Sequence, residues 1–119
     1  MKHPLLKLEP LIWLLFGLGI MVGTMLLTAW LAVVCLGAPL GLVPADALAF
    51  ERAHALGATW IGRLVLVGVV ALPLWKGAHH TRHVFIDAGG ADRDAVVAPI
   101  LYAIAAAGSL LAIVAAGRI

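Results

Sequence analysis

A chain of 119 residues is at most one domain, and one that is 64% hydrophobic and 12% charged, with a mean hydropathy of +1.11, carries more apolar surface than a water-soluble core could hide. Its net charge of +2 comes with eight scattered Lys and Arg, without the basic stripe or aromatic-basic interleaving that grips nucleic acid, so nucleic-acid binding is set aside. The lone Cys35 excludes an intrachain disulfide and a cysteine-based metal site, and its apolar context predicts a small buried hydrophobe.

The apolar residues come in runs with the charges between them, which predicts an all-α membrane protein. We expect a single transmembrane anchor domain over 1–119 with three helices at about 11–36, 58–78 and 95–117, and an interfacial loop or short helix at 37–57. The first run follows Lys2 and Lys7 as a signal peptide would, but it is too long for a signal h-region, and Val33 and Val34 before Cys35 do not suit a lipoprotein signal. At 1.5 Å per residue this helix is roughly 39 Å long, longer than a hydrocarbon core of about 30 Å, so it must tilt or project. Pro10 and Glu9 suit its first turn, where an absent N–H costs nothing and a negative charge meets the positive end of the dipole. Gly17, Gly19 and Gly23 offer a small-residue face for a neighbouring helix.

Pro39, Gly41 and Pro44 break structure after the first span, and Asp46 is placed to cap a short helix carrying Glu51 and Arg52. The second span contains Arg63, one turn inside the membrane, where it must snorkel or pair with an acid, for which a partner chain is the natural source. The third is rich in alanine, with Gly108 and Ser109 as close-packing positions. Lys2, Lys7, Lys76, Arg82 and Arg93 fall on one side, Arg52 and Arg118 on the other. The positive-inside rule therefore predicts a cytoplasmic N-terminus and, with three spans, a periplasmic C-terminus. No internal repeat of transporter type is present, and three short helices enclose no aqueous path, so the chain reads as one part of something larger.

Lys76, His79, His80, Arg82 and His83 form the densest polar cluster, with His79 and His83 on one helix face. Histidine changes charge near neutral pH, so the cluster could hydrogen-bond or protonate a ligand at headgroup depth; it could equally be the cationic flank that orients the helix. A bis-histidine haem needs ligands from different helices at one depth, and the other histidines are His3 in the N-terminal tail and His54 across the membrane. Trp13, Trp30, Trp60 and Trp75 all fall near span ends, where indole anchors at the headgroups are expected, and Trp13 could also donate to a ligand carbonyl.

Four stretches then resemble one family. They are Glu9-Pro10-x-x-Trp13-x-x-Phe16-Gly17, Leu42-x-Pro44-x-Asp46-Ala47-Leu48-x-x-Glu51-Arg52, Ile61-Gly62-Arg63, and Leu72-Pro73-Leu74-Trp75-x-Gly77-x-His79. In order and spacing they are similar to the D subunit of quinol:fumarate reductase, a hydrophobic anchor of the complex II superfamily. The resemblance implies a non-catalytic bacterial inner-membrane protein that pairs with a second anchor, the C subunit of fumarate reductase. The pair would hold an iron–sulfur subunit and a flavoprotein, with the iron–sulfur clusters and FAD in those partners only and no haem or metal here. It also implies a quinone or menaquinone site at the cytoplasmic end, with Trp13, His79, His80 and Arg82 as cofactor-binding residues. Arg82 stands two places beyond His80, where the family pattern has a His-Arg pair, and Ala58 and Thr59 precede Ile61-Gly62-Arg63 where members tend to be polar. The alternatives are a purely structural anchor, with every quinone contact from partners, and an anchor of a succinate:quinone reductase.

Overall fold

The structure, a computed structural model, describes residues 7–119; Lys2 and His3, used above for orientation and ligand counting, lie outside them. Its first helix, α1, runs continuously over Glu9–Gly37, two residues longer at its start than expected, with Pro10 in the first turn. It widens into π turns at Gly19–Gly23 and Val33–Gly37. At the first of these Thr24 donates twice to the carbonyl of Gly19, through its backbone N–H in the π pattern and through its hydroxyl at 2.9 Å.

That π turn is where α1 crosses the third helix. Gly19 and Gly23 are buried there: a Cβ on Gly23 would sit 2.8 Å from Leu72 Cβ, and one on Gly19 would collide with the Leu72 carbonyl. The small-residue face is therefore narrower than expected, because Gly17, grouped with these two above, has nothing within 4 Å of its Cβ position.

After Gly41, whose φ of +70° turns the chain, comes a 3-10 turn at Ala45–Leu48 and then α2, Phe50–Gly57. Asp46 does not cap this helix. Its carboxylate accepts from Arg52 Nη1 at 3.3 Å, and α2 begins after Ala49 without a side-chain cap. The next helix, α3, covers Trp60–Phe85 and is capped by Thr59, whose Oγ1 accepts from Gly62 N at 3.0 Å and donates to Leu56 O at 2.7 Å. A Cβ on Gly62 would collide with that same Leu56 carbonyl, so the glycine of Ile61-Gly62-Arg63 is what lets α2 and α3 meet at a tight corner.

The cationic cluster is helical throughout. It extends α3 seven residues past the expected end at 78, because Gly77 stays helical and the chain does not turn until Gly89, whose φ of +86° reverses it. A 3-10 turn at Ala91–Arg93 leads into α4, Asp94–Gly117. Contacts pairing 82 with 94, 79 with 102 and 75 with 109 show that α3 and α4 form an antiparallel hairpin.

Helices and the turns between them make up the described residues, with no strand among them. Two apolar helical stretches are long enough to cross a membrane, Glu9–Gly37 and Trp60–Gly117, the second folded back on itself at Gly89. The core is small: Ile12, Ala78, Ala98, Tyr102 and Ala105, with Leu74, Trp75 and Leu101 packed on it. Long rows of Leu, Ile and Val remain exposed, an arrangement that suits lipid rather than water. Cys35 is exposed too, against the expectation of a buried thiol, because a flat layer of 57 × 30 × 18 Å leaves one side of each helix without a protein neighbour.

Candidate functional site

Trp13 and Phe16, one turn apart on α1, meet edge-to-face at 5.7 Å and 83°. The crossing of α1 over α3 brings both against the histidines. The His79 ring lies 4.1 Å from Phe16 at 37°, 5.0 Å from Trp13 at 61° and, one turn along its own helix, 4.6 Å from His83. His80 approaches Phe16 edge-on at 5.4 Å from the neighbouring position. Phe16 is thus in ring contact with Trp13, His79 and His80 alike.

Burial divides the members. His79 is only 4% exposed, whereas Trp13 is 52% exposed and His80 and His83 also stand in the open. A polar ring buried that deeply needs a hydrogen-bond partner, and α4 supplies it: His79 Nδ1 lies 3.1 Å from the hydroxyl of the buried Tyr102. Tyr102 in turn stacks on Trp75 at 6.0 Å and 21°. Trp75 turns inward, correcting its reading as a headgroup anchor; its Nε1 donates to Ser109 Oγ at 3.1 Å, and Ser109 donates to the Ala105 carbonyl at 2.7 Å.

One turn beyond, Arg82 donates through Nε and Nη2 to the two carboxylate oxygens of Asp94, both at 2.7 Å. This fork clamps the end of α3 to the start of α4 beside the Gly89 turn. Lys76, on the other side of α3, reaches back to α1 and donates to Thr24 Oγ1 at 2.9 Å. The cluster is therefore tied into the fold through His79, Arg82 and Lys76, each bonded to another helix, which is more than a loose cationic flank would need.

Of the four site residues expected, Trp13, His79 and His80 come together around Phe16, and Arg82 sits at the edge in its fork. Sequence reasoning missed Phe16, Tyr102 and Asp94 as members. Phe16 was legible as the i+3 neighbour of Trp13, and Tyr102 as the only tyrosine of the chain; the role of Asp94 depends on the hairpin and had no local signal. His79, His80 and His83 lie on one helix, the rings of His79 and His83 only 4.6 Å apart, so no two of them can face each other across a porphyrin. Among the described residues no three His, Cys, Asp or Glu side chains gather as metal ligands would.

Residues 4–116 match the profile of the family described as the fumarate reductase D subunit. The chain belongs to that family. It is 37% identical over 75 residues to the fumarate reductase D subunit of Vibrio cholerae serotype O1 (strain M66-2), covering 63% of this chain and 58% of that protein. Similar figures hold for the D subunits of Vibrio parahaemolyticus serotype O3:K6 (strain RIMD 2210633), at 37% with 63% and 60% covered, and of Photobacterium profundum, at 36% with 63% and 62% covered. The chain thus spans about three fifths of the length of the curated relatives it matches. Family membership and the two apolar helical stretches agree with a membrane protein. In this member of the family the matching stretches have separate structural tasks: the first carries Trp13 and Phe16, the third forms the Gly62 corner, and the fourth carries Trp75 and His79.

Proposed function

We propose that this chain is a membrane anchor of a quinol:fumarate reductase and that it contributes Trp13, His79, His80 and Arg82, with Phe16, to a quinol site shared with partner subunits. The observation that carries the proposal is the Trp13–Phe16–His79–His80 cluster: an aromatic wall with imidazoles on it, half open, at one end of the helices. Family membership supports the assembly, with a second anchor (the C subunit of fumarate reductase), an iron–sulfur subunit and a flavoprotein as partners. FAD and iron–sulfur clusters in those partners would carry the electrons from quinol to fumarate.

A quinol that loses two electrons must also release two protons. Exposed His80 would accept one of them from a ring hydroxyl, while Trp13 and Phe16, nearly perpendicular to each other, offer an apolar corner for the ring. His79, held at Nδ1 by Tyr102, is fixed in rotation and keeps its other nitrogen for the ring or for His83. Arg82 adds positive charge at the edge while Asp94 holds its direction. A site with one open side needs the partner anchor and the iron–sulfur subunit to close it.

Three spans also belong to the proposal. At 58 residues the stretch Trp60–Gly117 would be roughly 87 Å as one helix, nearly three times the hydrocarbon core, and the reversal at Gly89 divides it into two lengths that fit. With α1 this gives three crossings, the histidine end on the cytoplasmic side of the bacterial inner membrane and the N-terminus with it.

Substitution tests the site. Trp13→Ala and His80→Ala complexes should assemble fully, retain fumarate reduction by an artificial electron donor, and lose quinol kcat/KM, by about a hundredfold for His80→Ala, the low end for removing a proton acceptor. Normal quinol oxidation by fully assembled variants would leave this chain a structural anchor whose partners make every quinone contact.

A further inference from the structure

At the end of the α3–α4 hairpin away from the histidines, Trp60, Arg63, Leu64 and Val67 of α3 face Ile113, Ala116 and Gly117 of α4 across an open slot of about 520 Å³. Arg63 is the sole charged residue on its wall, and no acid lines it. The Nε of Arg63 is buried and has no hydrogen-bond partner among the described residues. A guanidinium has five N–H donors and no acceptor, so it cannot satisfy itself, and buried donors are otherwise paired. Two acids of the chain are committed elsewhere, Asp46 to Arg52 and Asp94 to Arg82 at the opposite end of the hairpin.

The slot has two chemical halves. One is the cation, about 5 Å along the axis from Trp60, whose indole is 73% exposed at the mouth. The other is an apolar trough running along Leu64, Val67 and Ile113, left open where nothing lies within 4 Å of the Gly117 Cβ position. A carboxylate from a neighbouring protein helix would answer the charge and leave the trough empty. An amphiphile with an anionic head and a hydrocarbon tail answers both halves, at the depth where a tryptophan and an arginine near a helix end meet the headgroups.

We propose that this slot is a binding site for an anionic phospholipid, its phosphate accepting from Arg63 and part of one acyl chain lying between α3 and α4. The proposal rests on the reading that these helices cross a bilayer; it is independent of the quinol site.

Native mass spectrometry of the detergent-solubilised full-length chain, with whatever companion proteins accompany it, gives the test, using phosphatidylglycerol and phosphatidylcholine of equal chain length as probes. Wild type should retain phosphatidylglycerol in preference to phosphatidylcholine. Arg63→Gln should lower that retention about fivefold, the effect of one cation at a lipid surface, and Arg63→Lys should restore most of it. Val67→Trp, which fills the trough and leaves the charge, should lower retention of both lipids. Equal retention of the two lipids by wild type, or unchanged phosphatidylglycerol binding by Arg63→Gln, would overturn the assignment. So would a cross-link from position 63 to an acidic residue of a companion protein in a lipid-free wild type. Release of the chain from membranes by alkaline carbonate would instead refute the bilayer reading itself.

Discussion

His79 is the residue at which the chain commits most. An imidazole 4% exposed, packed on Phe16 and held by Tyr102, cannot be exchanged for an apolar ring without taking a partner from the tyrosine hydroxyl, nor can the hydroxyl be removed without stranding Nδ1. Tyr102→Phe should therefore destabilise the protein by about 1–3 kcal/mol, the cost of a buried polar atom left without its partner. Unfolding of the purified protein by titration with a denaturing detergent measures this, and an unchanged midpoint would show that the Tyr102 contact contributes little. The histidine cluster itself was legible in the sequence as a dense polar group, but its division into buried His79 and open His80 was not. Adjacent positions on one helix point about 100° apart, and only the neighbours decide which of them is covered.

At the scale of elements, the approach of α1 to α3 depends on two glycines. Gly19 and Gly23 let the backbones close at Leu72 and Pro73, and this spacing is what brings Trp13 and Phe16 to His79 one to two turns further along. Gly23→Leu should push the helices apart, lower the stability of the assembled complex and depress quinol oxidation with it, whereas Gly17→Ala, with open space at its Cβ, should leave both unchanged. Thermal melts of the solubilised complex alongside quinol assays compare the two; equal behaviour would remove the glycine crossing as the reason for the geometry. Helix positions followed well from the apolar runs, since the first and last elements begin and end within two residues of expectation. The end of α3 did not follow. A run of Lys, His and Arg reads as a boundary when hydropathy defines the span, yet backbone hydrogen bonding continues through polar residues until Gly89 turns the chain. The third of the expected spans, 95–117, was read for small-residue packing, but its Tyr102 and the Asp94 just before it hold two members of the cluster, His79 and Arg82.

The whole molecule is a thin layer with most of its large apolar side chains outward, so it is stable only with lipid or other proteins against those faces. The three crossings proposed above would put the two chain ends on opposite sides of the membrane. Fusion of a periplasm-dependent reporter such as alkaline phosphatase after Ile119 should be active, and the same reporter joined in the Ile86–Gly90 turn should be inactive; the reverse pattern, or activity at both positions, would contradict the topology.

The sequence by itself determined that the chain is helical and apolar, where its long helices lie, that its polar residues gather at the end of the second apolar run, and which family its motifs resemble. These are properties read along the chain, in hydropathy, spacing and turn residues. Only the tertiary structure decided that Arg82 is clamped by Asp94 twelve residues away, that His79 is held by Tyr102 at a separation of 23, that Trp75 turns inward to Ser109 at 34, and that Arg63 Nε is left without a partner. The physical reason is that such pairings depend on how far each helix is rotated and at what depth two helices cross. Those quantities are set by the close packing at Gly19 and Gly23 and by the reversal at Gly89, and no periodicity within a single helix records them.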